Sequence, residues 1–412
     1  MLLAKFFRNL IRVGKLTVID ATGKRHEFKG TDGPSAVIRL HDKSLHWKIF
    51  FRPQIKSGEA FMDGTLTVED GSIYDLLALV CMNLGTHGFP FFNKVINRCD
   101  RWFRRLQQWN PIGWSRLNVA HHYDLSGNLY KLFLDRDLQY SCAYFEDGTE
   151  DLESAQEKKK SHIANKLLLQ PGQKILDIGS GWGGLALHLA KSSEVKVTGV
   201  TLSSEQLNES RIRASREGLD RQVQFHLRDY REEESHYDRI VSIGMFEHVG
   251  INHYDEFFTK VRDLLTKDGI AVLHTIGRAA GPGVTDPWIR KYIFPGGYCP
   301  ALSEITPAIE RAGLWITDVE ILRLHYADTL REWRRRFLAN RDKVLELYDP
   351  RFCRMWEYYL AASEASFRYL DNVVFQIQLA KRLDSIPISR NYLYPGKEKD
   401  RKHARNGNRA AA

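Results

Sequence analysis

The chain has 412 residues, 43% of them hydrophobic and 27% charged, which is ample for a core and more than one ordinary domain needs; two domains, or one with large additions, are expected. The net charge of +9 suits an anionic partner, whether nucleic acid, an anionic membrane or a phosphate-bearing substrate, without choosing among them. Cys81, Cys99, Cys142, Cys299 and Cys353 are scattered and never form a C-x-x-C pair, which argues against a zinc site and a disulfide framework and for a reducing compartment. No apolar run approaches the roughly 20 residues of a membrane span. Met1 to Lys15 lacks the long apolar stretch and cleavage site of a secretory signal, so a cytoplasmic protein is expected.

The first segment places Leu2, Leu3, Phe6, Phe7, Leu10 and Ile11 on one helical face, with Lys5, Arg8, Arg12 and Lys15 among them and no acid before Asp20. This is a short basic amphipathic helix. It either lies at a lipid interface or packs its apolar face on its own domain. From Leu16 to about Val68 the pattern is one of short strands, with Leu16, Val18, Val37, Ile38 and Leu40 in strand-like runs. A helix is expected from about Ser72 to Leu84, then breakers from Gly85 to Pro90 and a basic aromatic segment from Phe91 to Trp109. Asn110-Pro111-Ile112-Gly113 reads as a domain boundary, giving an N-terminal unit over 1–110.

The second unit, 111–396, alternates strand and helix as a parallel sheet does. Strands are expected at Lys174–Ile178, Val195–Val200, Val223–Leu227, Arg239–Ile243 and Ile270–His274, with helices at Leu185–Lys191 and Ser204–Glu217. Trp333 to Leu370 reads as helical. The basic tail, 397–412, reads as disordered.

Strand, turn and helix meet at Asp177-Ile178-Gly179-Ser180-Gly181-Trp182-Gly183-Gly184. Glycines let the backbone turn tightly and approach a ligand, and the next helix offers its N-terminus. The spacing Gly179-x-Gly181-x-x-Gly184 also satisfies a dinucleotide fingerprint. Two features turn the reading from NAD. The second strand ends in Thr201-Leu202-Ser203 rather than in a ribose-binding acid, and Asp177 suits a cofactor that carries positive charge. The run looks like that of a class I methyltransferase.

Ligands in open α/β sheets bind beyond the carboxyl ends of the strands. One such end runs into Gly244-Met245-Phe246-Glu247-His248, and the next ends in Leu273-His274-Thr275-Ile276-Gly277. Neighbouring strands bring Glu247 and His274 to one pocket, while simple alternation turns His248 away. Upstream, Cys142 in Tyr140-Ser141-Cys142-Ala143-Tyr144-Phe145 is either a nucleophile or a small residue whose backbone matters; the sequence leaves both open.

Together these segments resemble the cyclopropane fatty acid synthase family, which includes the mycolic acid cyclopropane synthases. The resemblance runs through Tyr140–Tyr144, Asp151-Leu152-Glu153-Ser154-Ala155-Gln156, Leu176–Gly184, Val241–Gly250, Leu273–Gly277 and Tyr292-Ile293-Phe294-Pro295-Gly296, and spans about residues 115 to 390. The N-terminal unit is similar to the smaller lipid-associated domain of the phospholipid-acting members. The resemblance implies an α/β class I methyltransferase with a doubly wound sheet, an added helical lid and a smaller α+β lipid-associated domain. It implies transfer of the methyl of S-adenosylmethionine to the cis double bond of an acyl chain within a phospholipid bilayer. Loss of a proton to bound bicarbonate then closes a cyclopropane ring.

By the same resemblance the anion lies near the backbone of Cys142 and Ile276, held by Glu247, His274 and Tyr326. The cofactor contacts are Tyr140, Ser141, Asp177, Gly179, Gly181, Thr201, Leu202 and Gln206, with Asp229 and Tyr230 beside them. The faces of Tyr140 and Phe145 are candidates to stabilise a cation. The chain departs from the family at Ser180, often Cys there, and at Ser363, where a cysteine once proposed as catalytic stands. The resemblance also admits a homodimer, and a protein peripheral to the inner face of the membrane. Rival readings are a relative that leaves a methyl-branched or methylene product, a small-molecule methyltransferase, and a non-catalytic lipid- or nucleic-acid-binding protein. The basic residues form no recognised nucleic-acid module, so no nucleic-acid partner is expected.

Overall fold

The computed structural model describes residues 2–87 and 127–394. The boundary expected at 110, the aromatic segment 91–109 and the tail 397–412 lie outside the described residues.

The N-terminal region opens with helix α1 (Leu2–Leu10), which ends before Ile11 because Val13–Ile19 is already strand β1. With β2 (Arg25–Lys29), β3 (Thr31–Leu40) and β4 (Leu66–Asp70) it forms a four-stranded sheet in the order β2-β1-β3-β4. Two helices, α2 (Leu45–Phe51) and α3 (Pro53–Met62), occupy part of the span expected to hold only strands and turns. Leu45 and Ile49 are buried one helical turn apart, and Pro53 opens α3 from its first turn, where a missing N–H costs nothing. Helix α4 (Ile73–His87) begins where the sequence predicts. Leu3, Phe7 and Leu10 of α1 are buried, with the Phe7 ring 5.6 Å from that of Phe28. That side of the helix is therefore packed within its own region, as the second of the two readings expects, and Phe6, Phe7 and Leu10 also border a cavity.

In the second half, α5 (Gly127–Lys131) and α6 (Leu152–Leu167) precede the large sheet. Its strands are β5 (Lys174–Ile178), β6 (Lys196–Thr201), β7 (Val223–Leu227), β8 (Tyr237–Ile243), β9 (Leu265–Arg278), β10 (Trp315–Leu322) and β11 (Asn372–Ala380). Their order is β10-β11-β9-β8-β5-β6-β7. Strands β5 to β9 pair in parallel, and β11 inserts antiparallel between β9 and β10. Buried runs such as Ile175–Ile178, apolar except for Asp177, and Ile270–Leu273 suit a sheet covered on both faces. The covering helices include α7 (Gly184–Ser193), α8 (Ser204–Arg216), α9 (Tyr254–Leu264) and α11 (Leu302–Arg311), with the short α10 (Pro287–Tyr292) before the last.

The expected helical stretch 333–370 is three helices, α12 (His325–Ala339), α13 (Arg341–Leu347) and α14 (Pro350–Tyr369). The break before α14 is enforced by Pro350 and by the Asp349 carboxylate, which accepts the N–H of Phe352. Together they form the added helical layer. The two halves are joined directly: Tyr292 and Lys291 donate to Glu59 at 2.9 and 2.7 Å, Arg354 donates to the Met62 carbonyl at 2.7 Å, and the Trp288 indole N–H meets the Met62 sulfur at 3.2 Å. No helix among the described residues is long and apolar enough to cross a membrane.

Candidate active site

The turn after β5 is built by backbone freedom. Gly179, Gly181 and Gly183 have φ of 81°, 54° and 83°, in the left-handed region where a Cβ is strained. A Cβ on Gly184 would meet Asp137 and Gln139 at 2.4 Å. Helix α7 therefore starts against the segment 137–139, which Arg213 and Lys160 hold through Asp137. On the next strand end, Thr201 donates to Gln206 at 3.0 Å, and Ser203 caps α8. These turns line a cavity of about 160 Å³. All ten residues expected to hold the cofactor line it: Tyr140, Ser141, Asp177, Gly179, Gly181, Thr201, Leu202, Gln206, Asp229 and Tyr230. Asp177 is 2% exposed and its Oδ2 has no hydrogen-bond partner among the described residues. Burial, opposed by the Lys159 ammonium, pushes its carboxyl up to about 7. Asp229 is committed to Arg231, whose guanidinium donates to both carboxylate oxygens.

The second constellation sits one strand over. Ile243 at the end of β8 pairs with His274 on β9, so the turn that carries Glu247 rises beside His274. The Ile276 N–H donates to Glu247 Oε1 at 2.6 Å, while Glu247 Oε2 is buried without a partner among the described residues. Burial pushes Glu247 up to about 7 against that N–H, and pushes His274 down to about 3, helped by the charges of Lys159 and Lys166. The Gln376 amide of β11 donates to His274 Nδ1 at 3.0 Å, so a neutral ring carries its proton on Nε2. Glu247, His274, Ile276, Cys142 and Tyr326 all line a second cavity, of about 820 Å³. The two cavities share Tyr140, Ser141, Gly244 and His248 in their linings.

Two expectations change here, and the open reading of Cys142 narrows. His248 does not turn away: residues 246–248 form a 3₁₀ turn, so strand alternation does not apply, and the imidazole, lowered to about 4 by burial, borders both cavities. Phe145 lines neither cavity; its N–H donates to His325 Nδ1 instead, which leaves Tyr140 as the aromatic face at the junction. Cys142 is fully buried, its thiol donating to the Ala143 carbonyl at 3.3 Å, and burial drives its pKa well up; this is a neutral small side chain, not an activated nucleophile. Ser363 does line the second cavity, so the position is at the site even though no thiol stands there.

Lys159 was not foreseen. It lies in the run Lys158-Lys159-Lys160, which reads as a solvated charge patch. Its phase with Ala155, Ile163 and Lys166 on the buried face of α6 is the available signal. Its Nζ donates to Gln139 Oε1 at 2.6 Å and Ser141 Oγ at 2.9 Å, and burial lowers it to about 8.

Comparison with known proteins adds to this geometry. The family model described as mycolic acid cyclopropane synthetase matches residues 114–377. The cyclopropane-fatty-acyl-phospholipid synthase of Escherichia coli K12 is 43% identical over 264 residues, covering 64% of this chain and 68% of its own. The tuberculostearic acid methyltransferase of Mycobacterium tuberculosis is 37% identical over 360 residues, 82% of each chain. A solved structure of the mycolic acid cyclopropane synthase CmaA1, complexed with SAH and CTAB, superimposes with a TM-score of 0.62 at 34% identity, covering 66% of this chain and 99% of that one.

Proposed function

This chain belongs to the mycolic acid cyclopropane synthetase family of S-adenosylmethionine-dependent methyltransferases, and on that premise we propose that it methylates the cis double bond of an unsaturated phospholipid acyl chain and closes a cyclopropane ring. The observation that carries the reading is the meeting of the two cavities at Tyr140, with Glu247 Oε2 lying unpartnered in the larger one. One cavity is polar and glycine-lined; the other is lined chiefly by aliphatic and aromatic side chains.

The residues fit the cofactor. The orphan oxygen of Asp177 suits a cationic group, and the positive-φ glycines leave room for close approach. Asp177, Gly179, Gly181, Thr201, Leu202 and Gln206 would hold it, with Tyr140 and Ser141 closing the side toward the lipid. S-adenosylmethionine, when bound, supplies an electrophilic methyl group, which an unactivated alkene requires. Tyr140, which lines both cavities and is fixed by the 2.8 Å contact of its hydroxyl with that of Tyr359 and by stacking on Trp333, would stabilise positive charge developing at the junction. The apolar walls keep water from that charge.

Glu247, His274, Tyr326 and the Cys142 backbone would hold bicarbonate, which would supply a base where the side chains are poor ones; the Ile276 N–H, expected to join them, is instead given to Glu247 and orients its carboxylate. His274 stays neutral and donates from Nε2. Ionised Glu247 offers Oε2 as the terminal acceptor of the proton that ring closure releases, so the reaction requires Glu247 above its raised pKa. The enzyme acts from the cytoplasmic side as a peripheral protein in this reading.

Gas chromatography with mass spectrometry of fatty acid methyl esters from cells expressing the chain tests the proposal. Unsaturated acids become products one CH₂ heavier with a cyclopropane signature, and Glu247→Gln abolishes them; an unchanged lipid profile with folded, cofactor-binding protein refutes it. A second reading, methyl transfer that leaves a branched product, is favoured by one observation: the tuberculostearic acid methyltransferase matches more of this chain than the synthase does. The same spectra separate the two.

A further inference from the structure

The family match begins at residue 114, so the N-terminal region is an addition to what the family model describes. Yet the 820 Å³ cavity does not stop at that boundary. Its lining passes from Glu247 and His274, through Ser57, Cys81 and Tyr358 where the halves meet, to Phe6, Ile38, Leu66, Leu76, Leu77 and Val80. Those last six come from α1, β3, β4 and α4, and carry no polar group. Leu77 and Val80 are only partly buried although they sit on the helix that packs against α14. That apolar wall suits hydrocarbon. Polar lining stands at Gln54, Ser57 and Asp286 where the halves meet, and at the ion pair of Arg278 and Asp371, 3.7 Å apart, beside the exposed Ala280 to Pro282.

We propose that the N-terminal region is a second acyl compartment: it houses hydrocarbon of the same phospholipid whose double bond lies at Glu247, with the head group at the Arg278–Asp371 rim. This rests on the functional reading above and deepens it by giving the N-terminal half a role in substrate selection. The occupant is the methyl end of the reacting chain or the neighbouring chain of the same lipid; both are alkyl chains, and the walls select for length.

Photolabelling tests this on the full chain. One probe is a phosphatidylethanolamine whose oleoyl chain carries a diazirine at its methyl end; the other carries the diazirine on its palmitoyl chain. Each is presented in phosphatidylglycerol vesicles. Adducts on the peptide containing Leu76 to Val80 are expected from one of the two, and which one identifies the segment housed. Val80→Trp and Leu77→Trp, which fill the space, should cut that labelling by at least roughly fivefold and shift products toward shorter chains by a similar factor. Adducts from both probes confined to residues 247–372 overturn the proposal, as does an unchanged chain-length profile in both folded tryptophan variants. Lipids methylated without N-terminal labelling would sink the compartment and leave the catalytic reading. Labelling at Leu76 to Val80 with no lipid ever methylated would do the reverse.

Discussion

The two cavities that meet at Tyr140 are made by opposite means. The smaller is a product of backbone: three left-handed glycines, two helix starts, one of them capped by Ser203, and a strand end, most of it within residues 177–206. The larger is a product of side chains drawn from α1 at one end of the chain to α14 and β11 near the other. The first therefore tolerates little change in conformation, and the second little change in volume. The difference also predicts which measurement each will answer to: cofactor affinity for the one, lipid turnover and chain selection for the other.

The largest break in that division is expected at Glu247. Glu247→Gln removes the proton acceptor but keeps the shape, and should lower lipid turnover on the order of 10²- to 10⁴-fold, while calorimetry finds affinity for S-adenosylhomocysteine unchanged. Asp177→Asn should do the converse. Loss of a hydrogen bond to a charged group weakens cofactor binding about 10- to 100-fold, with the residual turnover keeping its chain-length profile. The pH dependence sharpens the pair. Both carboxyls are raised to about 7 and both act ionised, so activity falls as pH drops through that value. Asp177→Asn should flatten the acid limb of cofactor binding but not that of turnover at saturating cofactor.

Lys159→Met tests whether the two regions communicate. The ammonium lowers the pKa of Asp177 and fixes Gln139 and Ser141. Its removal raises the Asp177 pKa further, so binding fails at a higher pH than in the wild type, and affinity at neutral pH drops about tenfold. The smallest effect is expected at Cys142→Ala, less than about tenfold in turnover, since a neutral buried thiol does no chemistry; inactivation by this change with the fold intact would restore the nucleophile.

The same contrast explains what was legible in the sequence. Strand β5, the glycine turn and the start of α8 are local: a buried apolar run, then residues whose φ or side chain dictates the turn, each readable from a few neighbours. Glu247 and His274 were legible because parallel strand ends converge by topology. Strands β10 and β11 were not anticipated at all: exposed or half-buried residues such as Thr317 and Glu320 interrupt β10, and β11 follows directly on α14 with little punctuation. Lys159 stayed hidden because a lysine run looks the same whether one face is buried or none is. The larger cavity lies beyond local reading altogether, since Val80 and Glu247 meet only through packing.

The antiparallel strand β11 has one more consequence, in the order of events during synthesis. Strand β10 is made first, yet in the finished sheet its neighbour is β11, and β11 also brings Gln376 to His274. A nascent chain that has emerged only as far as α14 thus has a loose sheet edge and an imidazole free to carry its proton on either nitrogen. Both are settled by the same few residues, among the last described in the chain.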